Sequence, residues 1–443
     1  MYNKKIVLIP CEVKSRDYKP RLLLSFFLVQ AGFKVIFGRK AEVEYFARCF
    51  SNSIYIGLHS TNTYINFYKK IKSNNNNLIL FDEEGLVTLS KDTYLKTKFP
   101  KKIAEICDIF FCWGEKSYKF LLKNRSSYKS KLIIAGNLRF DVIKKKFNFL
   151  NKKNSDMIKK KYKSYILVSC SFGNVNHFDK KYEKFSFLKN NKYLIDKQSL
   201  INYKYYYEYN KIKFIENKKL IKFLAAEYKN INFIVRPHPS EKIESYNDLK
   251  KKYSNVFVSK EFSIAECLKW AKLNIHYYCT TSLEASALGI ENFTFNPKYN
   301  QKYLHRIPYI FSHKAARLSN AKKSIDKILK KKTKIKKNKV IEKYIYNFNS
   351  KYTYLKVINE IKKLLNNTKS SMSNFESKIN LSKMKILSIK FLFKRFGSYT
   401  DYKTPEITHS QLKKDLLKFK KLKNVKKEIK ISKFQKNIFE ITI

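Results

Sequence analysis

The chain has 443 residues and a formal net charge of +59, from 94 Lys and Arg against 35 Asp and Glu. At 44% hydrophobic and 16% aromatic residues it carries the material for substantial cores, which excludes wholesale disorder. Its length fits two domains of about 100–200 residues each. Lys, Asn, Ile, Tyr and Phe abound along the whole chain, while Gly (9) and Pro (8) are scarce, so the charge reads mainly as a chain-wide compositional bias. Such a surface still attracts phosphates, nucleic acid or anionic lipid headgroups.

IVLIP (6–10) reads as a strand, RLLLSFFLVQAGF (21–33) as a helix closing at Gly32, and KVIFG (34–38) as a second strand. IYIG (54–57), LILF (78–81), IFFCW (109–113) and LIIAG (132–136) repeat the strand pattern with helical or irregular stretches between them. Strands separated by helices imply βαβ units and a mainly parallel sheet. Residues 143–164 are rich in Lys and Asn and read as a linker between a first domain, 1–142, and a second, 165–320. The pattern restarts at YILVSCSFG (165–173), and a long helical section runs to about residue 228. Strands INFIVRP (231–237), NVFVS (255–259), LNIHYY (273–278) and NFTFNP (292–297) follow, with helices IAECLKWA (264–271) and SLEASALG (282–289) between them. Two successive open α/β sheets place a cleft between their carboxyl edges, where ligands of this architecture bind. Residues 321–443 form a lysine-rich extension that opens with AKKSIDKILKKKTKIKKNKVI.

Seven cysteines, at 11, 49, 107, 112, 170, 267 and 279, are odd in number and lack a Cys-x-x-Cys pair. That points to reduced thiols in the cytosol rather than a disulfide framework or a zinc site. The opening KKIVLIPCEVKSRD is too short in apolar residues for a signal-peptide core. No segment reaches the ~18 uninterrupted apolar residues of a membrane span. The expectation is a cytosolic protein, at most lying on a membrane.

Four stretches fall at strand ends facing the expected cleft. Asp82-Glu83-Glu84-Gly85 follows a buried strand. Three crowded carboxylates raise at least one pKa toward a general-base range, although an acidic triplet is also an ordinary solvated turn. Pro237-His238-Pro239 holds an imidazole between two residues of fixed backbone, aimed to give a hydrogen bond or proton to a phosphate oxygen. Arg236 beside it is a phosphate ligand or a surface charge. Cys279-Thr280-Thr281-Ser282-Leu283-Glu284 contains the S/T-x-x-E pattern that opens a helix, with Thr281 and Glu284 as its ends, and three hydroxyls beside an anion-attracting helix start. Ser171-Phe172-Gly173-Asn174 is a short polar loop of the kind that touches nucleotides. There is no GxGxxG, no GxxxxGK[ST], no Asp-x-Asp, no HExxH and no Gly-x-Ser-x-Gly, so no dinucleotide fingerprint, P-loop or metal-held sugar diphosphate is expected.

Taken together, IPCEVKSRDYKPRLLL, FGRK, FDEEGL, FFCWGE, AGNLRFD, SFGNVNH, RPHPSE and YYCTTSLEAS resemble the bacterial surface carbohydrate biosynthesis proteins, in consistent order over roughly residues 4–310. The resemblance implies a GT-B-like pair of Rossmann-like α/β/α domains facing a central cleft, with a basic, largely helical C-terminal extension. It also implies a role in making surface polysaccharide. A more distant likeness, to sialyltransferases that use CMP-activated sugars, rests on Glu83-Glu84-Gly85, His238-Pro239 and Thr280/Thr281/Ser282. By that analogy Glu84, with Glu83 and Asp82, deprotonates the acceptor hydroxyl. His238 and the residues Arg236, Pro239, Ser171, Gly173, Asn174, Thr280, Thr281, Ser282 and Glu284 meet the nucleotide phosphate, with no metal and no cofactor beyond the nucleotide-activated sugar. Polyol-phosphate transferases using CDP-glycerol or CDP-ribitol also carry His-Pro, so both donor classes stand. The expected partners are a nucleotide-sugar donor and a glycan or lipid-linked acceptor. Residues 321–341 and the stretch Ile386–Arg395 read as an anionic-membrane contact or a solvated helical surface. A nucleic-acid role is not expected, since no RRM, KH or helix-turn-helix pattern is present.

Overall fold

The structure is a computed structural model describing residues 5–86, 91–179, 197–330, 339–367, 376–394, 398–422 and 428–443. The chain divides into two units, one of Met1–Gly85, Ser90–Leu150 and Asn338–Ile443, the other largely of Asn151–Lys337. In the first unit the strands are β1 (Ile6–Cys11), β2 (Lys34–Arg39), β3 (Phe50–Ser51), β4 (Ile54–Gly57), β5 (Asn77–Phe81), β6 (Ile109–Cys112) and β7 (Leu132–Ile134). All but β3 lie in one sheet and run parallel to one another in the order β2-β1-β4-β5-β6-β7. Strand alternation sorts their side chains into two layers. Val7, Ile9, Val35, Phe37, Ile79 and Phe81 enter one core, while Ile6, Leu8, Ile36, Leu78 and Leu80 enter the other. Burial on both faces is why these strands read as uninterrupted apolar runs.

The second unit holds β8 (Tyr165–Ser169), β9 (Asn232–Arg236), β10 (Val256–Val258), β11 (Asn274–His276), β12 (Asn292–Phe295) and β13 (His313–Ala315). All are parallel, in the order β10-β9-β8-β11-β12-β13. Relative to chain order this is the 3-2-1-4-5-6 arrangement of a doubly wound sheet, whose direction of winding reverses between β8 and β11. In the first unit the corresponding reversal lies between β1 and β4. These two switch points predict where ligands bind.

Several expectations are corrected. The first helix spans Lys14–Gln30 rather than beginning at residue 21, because the Asp17 carboxylate accepts the Val13 N–H at 2.9 Å and secures a start that hydropathy does not register. The proposed linker is structured: Lys152–Tyr162 is helical, Phe147 and Leu150 enter the first unit's core, and Ile158 and Tyr162 enter the second's. The helix expected over 264–271 is Ile264–Leu268, and that over 282–289 is Thr281–Ala287. The extension beginning at residue 321 is not one appendage. Helix Leu318–Lys330 belongs to the second unit, burying Ala321, Ile325 and Ile328; residues 331–338 of the lysine run lie outside the described residues.

From 339 onward the chain returns to the first unit. Asp141 ties it down, accepting from Asn347 Nδ2 at 2.7 Å and from the backbone N–H groups of Thr353 (3.1 Å) and Tyr354 (2.9 Å) at the start of helix Thr353–Asn367. Burial pushes the Asp141 carboxyl up to about 6 despite these bonds. Strand β14 (Lys378–Ile379) pairs with β3. The hairpin β15 (Lys430–Gln435) and β16 (Ile438–Thr442) then extends the main sheet, β16 lying antiparallel to β2. The extension is helical over Leu381–Leu392 and His409–Leu417 and ends in this hairpin.

Candidate functional site

In the first unit the carboxyl edge of the sheet is dense with charge. Glu12 follows β1 and His59 follows β4, on the two sides of the switch point, and His59 Nε2 lies 3.1 Å from the Glu12 carboxylate. Lys40, directly after β2, sits 3.1 Å from the same carboxylate and 2.9 Å from His59 Nε2. Burial alone would raise Glu12, yet His59 and Lys40 beside it hold its carboxyl well below the usual range. Arg16 bridges Glu12 (3.3 Å), Asp17 (2.6 Å) and Glu84 (3.4 Å).

The three carboxylates after β5 occupy three different environments. Asp82 is buried, accepts the Tyr94 hydroxyl, and is pushed up to about 6 chiefly by burial; repulsion from Glu83 is a lesser contribution. Gly85 is required here, because a Cβ on it would stand 1.7 Å from the Asp82 carboxylate. Glu83 is an anchor, bound by Arg21 Nη2 at 2.7 Å and Asn137 Nδ2 at 3.0 Å, while Arg139 donates to its carbonyl at 2.7 Å. Glu84 is the exposed member, with its side chain 51% accessible. Lys98 at 3.0 Å holds its carboxyl well below the usual carboxylate range, with Arg16 assisting against a smaller opposing effect of burial. The group with a base-like pKa is therefore the enclosed Asp82, and the accessible Glu84 is kept ionised.

In the second unit β9, β8 and β11 are neighbours, so the loops after them open on one stretch of edge. Neighbouring strands stand about 4.8 Å apart. Glu241 organises two of these loops. Its Oε1 accepts the N–H groups of Phe172 and His238, both at 2.9 Å, and its Oε2 accepts Asn176 Nδ2 at 3.3 Å and the Tyr246 hydroxyl at 2.5 Å. Gly173 permits the approach of the two loops, since a Cβ there would meet Ser240 Oγ at 2.1 Å. His238 is exposed, and its Nδ1 accepts the Ser240 N–H at 3.2 Å. A backbone N–H can only donate, so the neutral ring carries its proton on Nε2. Pro239 and Ser171 are half-buried, and Asn174 is buried. Arg236 is buried, and its Nε donates to the Phe262 carbonyl at 3.1 Å.

After β11, Thr280 and Thr281 are half-buried, and Ser282 donates to the Cys279 carbonyl at 3.0 Å. Thr281 is the first helical residue, Thr280 is the cap, and no side chain caps this helix, so the expected Thr281–Glu284 capping pair does not form. Glu284 is buried. The reciprocal pair forms instead at Ser263 and Glu266, where Glu266 Oε2 accepts the Ser263 N–H at 2.7 Å. His276, buried on β11 and bonded to Ser312 at 2.6 Å, is pushed down to about 3 by burial and stays neutral; it is a packing histidine.

Sequence reasoning missed Arg16, in the first turn of helix Lys14–Gln30, and Glu12, Lys40 and His59, each just beyond a strand's carboxyl end. That position is the signal that finds the latter three. It also missed Lys213, 1% exposed on helix Lys197–Glu227, which donates to the Asn296 side chain just after β12 and is pushed down to about 7 by burial. Nothing local in YYYEYNKIKF marks Lys213.

No family model and no curated protein sequence matches this chain. Among solved structures it is similar to a putative UDP-N-acetylglucosamine 2-epimerase from Listeria monocytogenes, at TM-score 0.50 and 10% identity over 83% of this chain and 98% of that one. It is similar to the UDP-GlcNAc 2-epimerase of Methanocaldococcus jannaschii in complex with UDP-GlcNAc and UDP, at TM-score 0.50 and 13% identity over 81% of this chain and 99% of that one. The wall teichoic acid polymerase TagF, in a structure whose crystal was soaked with CDPG, gives TM-score 0.51 and 14% identity over 82% of this chain and 89% of that one. These likenesses show the fold, which is GT-B-like with two Rossmann-like domains. They lend no support to the sialyltransferase likeness drawn from three short motifs.

Proposed function

We propose that the chain is an enzyme of surface polysaccharide biosynthesis that transfers a group from a nucleotide-activated sugar to a glycan or lipid-linked acceptor. The observation that carries this reading is the Glu241 clamp. It ties the loop after β8, which borders the second unit's switch point, to the loop after β9 and leaves an exposed imidazole whose Nε2 bears the proton. A departing nucleotide phosphate gains negative charge as its bond to the sugar breaks, and His238 Nε2–H with the hydroxyls of Thr280 and Thr281 would neutralise it. The acceptor hydroxyl gives up its proton as its oxygen bonds to the sugar carbon. Glu84 is the accessible carboxylate for that proton. The leaving phosphate is met in this reading by protein groups rather than by a metal. In this reading the reaction runs in the cytoplasm, against the inner face of the membrane. Among the described residues no helix is long and apolar enough to cross a membrane.

A second reading, transfer of a polyol phosphate from a CDP-linked donor, is favoured by the fold likeness to the teichoic acid polymerase. Titration calorimetry with CMP, CDP and UDP separates the nucleotide classes. Transfer assays with CMP-, CDP- and UDP-linked donors should then show losses of about 10²–10⁴-fold for Glu84→Ala and His238→Ala. Undiminished transfer by both variants would reject the roles assigned here.

A further inference from the structure

Sixteen large hydrophobic residues are well exposed among those described, and eight of them lie four apiece along two helices. Leu381 (61% accessible), Ile386 (54%), Ile389 (61%) and Phe393 (83%) lie on helix Leu381–Leu392 or at its C-cap. At 100° per residue they fall within an arc of about 140°, which is one face. Lys383, Lys385, Lys390 and Lys394 stand between and beside them, and no Asp or Glu occurs from Lys378 to Lys394. A second stripe of this kind, Ile201, Tyr205, Ile212 and Ile215 on helix Lys197–Glu227, is interrupted by Glu208 and Glu216 and lacks the one-sided charge.

The opposite face is firmly seated. Leu387 is buried in the core that holds Leu8, Ile36 and Phe46, with Met384 and Phe391 packed against it. The Phe391 ring lies 5.3 Å from Phe46 and 5.6 Å from Tyr45. Asn380 caps the helix, accepting the Lys383 N–H at 2.8 Å, and its own N–H donates to the Cys49 carbonyl at 2.8 Å. The supporting helix Lys40–Phe46 begins at Lys40, in the Glu12–His59 cluster, and ends under Phe391. Those two points are about 9 Å apart along its axis.

We propose that this face docks the first unit on an anionic lipid bilayer. Leu381, Ile386, Ile389 and Phe393 enter the boundary between headgroups and acyl chains, while the lysines meet anionic headgroups. Charge complementarity selects this occupant. A second copy would bring one lysine-rimmed face of a +59 chain against another. Nucleic acid offers its phosphates to the lysines and nothing to the aliphatic side chains. The proposal deepens the membrane-side part of the reading above and needs no transfer reaction, so a failure of one leaves the other standing.

The test is flotation of the full chain with vesicles of phosphatidylcholine alone or mixed with phosphatidylglycerol, without donor or acceptor. The native chain should float with the anionic vesicles. Ile386→Ser/Ile389→Ser/Phe393→Ser should lose at least about a hundred-fold in partitioning. Lys385→Gln/Lys390→Gln should lose about thirty-fold, at two headgroup contacts of ~1 kcal/mol each. Both variants alter exposed side chains, and unchanged melting by circular dichroism confirms that they fold. The proposal is overturned if the native chain stays with the soluble fraction. It is equally overturned if the serine variant floats as well as the native chain, which is the behaviour of a generally polycationic surface. A dimer in sedimentation that the serine substitutions dissociate would assign the face to a second copy and overturn it too.

Discussion

Arg21 and Glu83 offer the sharpest check on how the candidate site is built. Their side chains are 2% and 11% accessible and meet at 2.7 Å, so each removes the other's charge from an otherwise unsolvated position. Arg21→Met keeps the volume that stacks on Phe81 (5.2 Å) but leaves the Glu83 carboxylate with Asn137 alone. Removing one partner of a buried pair costs about 3–5 kcal/mol, because the charge left behind is uncompensated. For a unit of this size 1 kcal/mol moves the melting temperature by about 2–4 °C, so a fall of roughly 6–20 °C is expected. The two tryptophans make the assay specific: Trp113 is buried in the first unit and Trp270 lies in the second. In a Trp270→Phe background, urea unfolding followed by fluorescence reports the first unit only. Arg21→Met/Glu83→Gln should recover part of the loss, since neither charge then remains. A loss below about 1 kcal/mol for Arg21→Met, or strictly additive single losses, would show that the pair is not the electrostatic anchor described.

Two further outcomes follow from the same geometry. Asp82 has a folded-state pKa of about 6 against about 3.9 unfolded, so its contribution favours folding at low pH and is lost as pH rises through about 6. Asp82→Asn, which retains an acceptor for Tyr94, should therefore gain stability relative to the native chain by about 2 kcal/mol between about pH 4 and pH 8. Urea titrations at both values measure this, and a pH-independent difference would refute it. Glu241→Gln keeps the shape of the clamp but supplies one acceptor oxygen where four donors converge, so the two loops should loosen. Nucleotide affinity by calorimetry should fall about ten-fold, with a stability loss of about 1–3 kcal/mol; unchanged affinity would disconnect the clamp from binding.

The strands were legible because each core strand of a parallel sheet is buried on both faces, and runs such as IVLIP and IFFCW admit few other readings. The site was legible only where residue types clustered. Asp82–Glu84 and Pro237–Pro239 announce themselves, whereas Glu12, Lys40 and His59 become a site only when β1, β2 and β4 are laid side by side. Local patterns also misdirect. Thr281 and Glu284 carry the capping signature without using it, and the helix start at Lys14 is marked by a bond the Val13 N–H gives to the Asp17 carboxylate. The environments of Asp82 and Glu84 were hidden for another reason. Their divergence comes from Lys98, Arg16 and the surrounding burial, none of which adjacent carboxylates in a sequence disclose.

The pairing of Ile438 with Gly38 joins positions about 400 residues apart, and this bears on how the protein emerges from the ribosome. The middle unit has all its strands in hand once residue 337 is synthesised. The N-terminal unit has to wait for residues 438–442 before its β2 edge is covered, which reverses the usual order of assembly during translation. Nascent or prematurely terminated chains would present β2 as a bare template for pairing with other molecules, the hazard that unprotected strand edges carry. Trimming this chain from its C-terminus therefore opens its first domain.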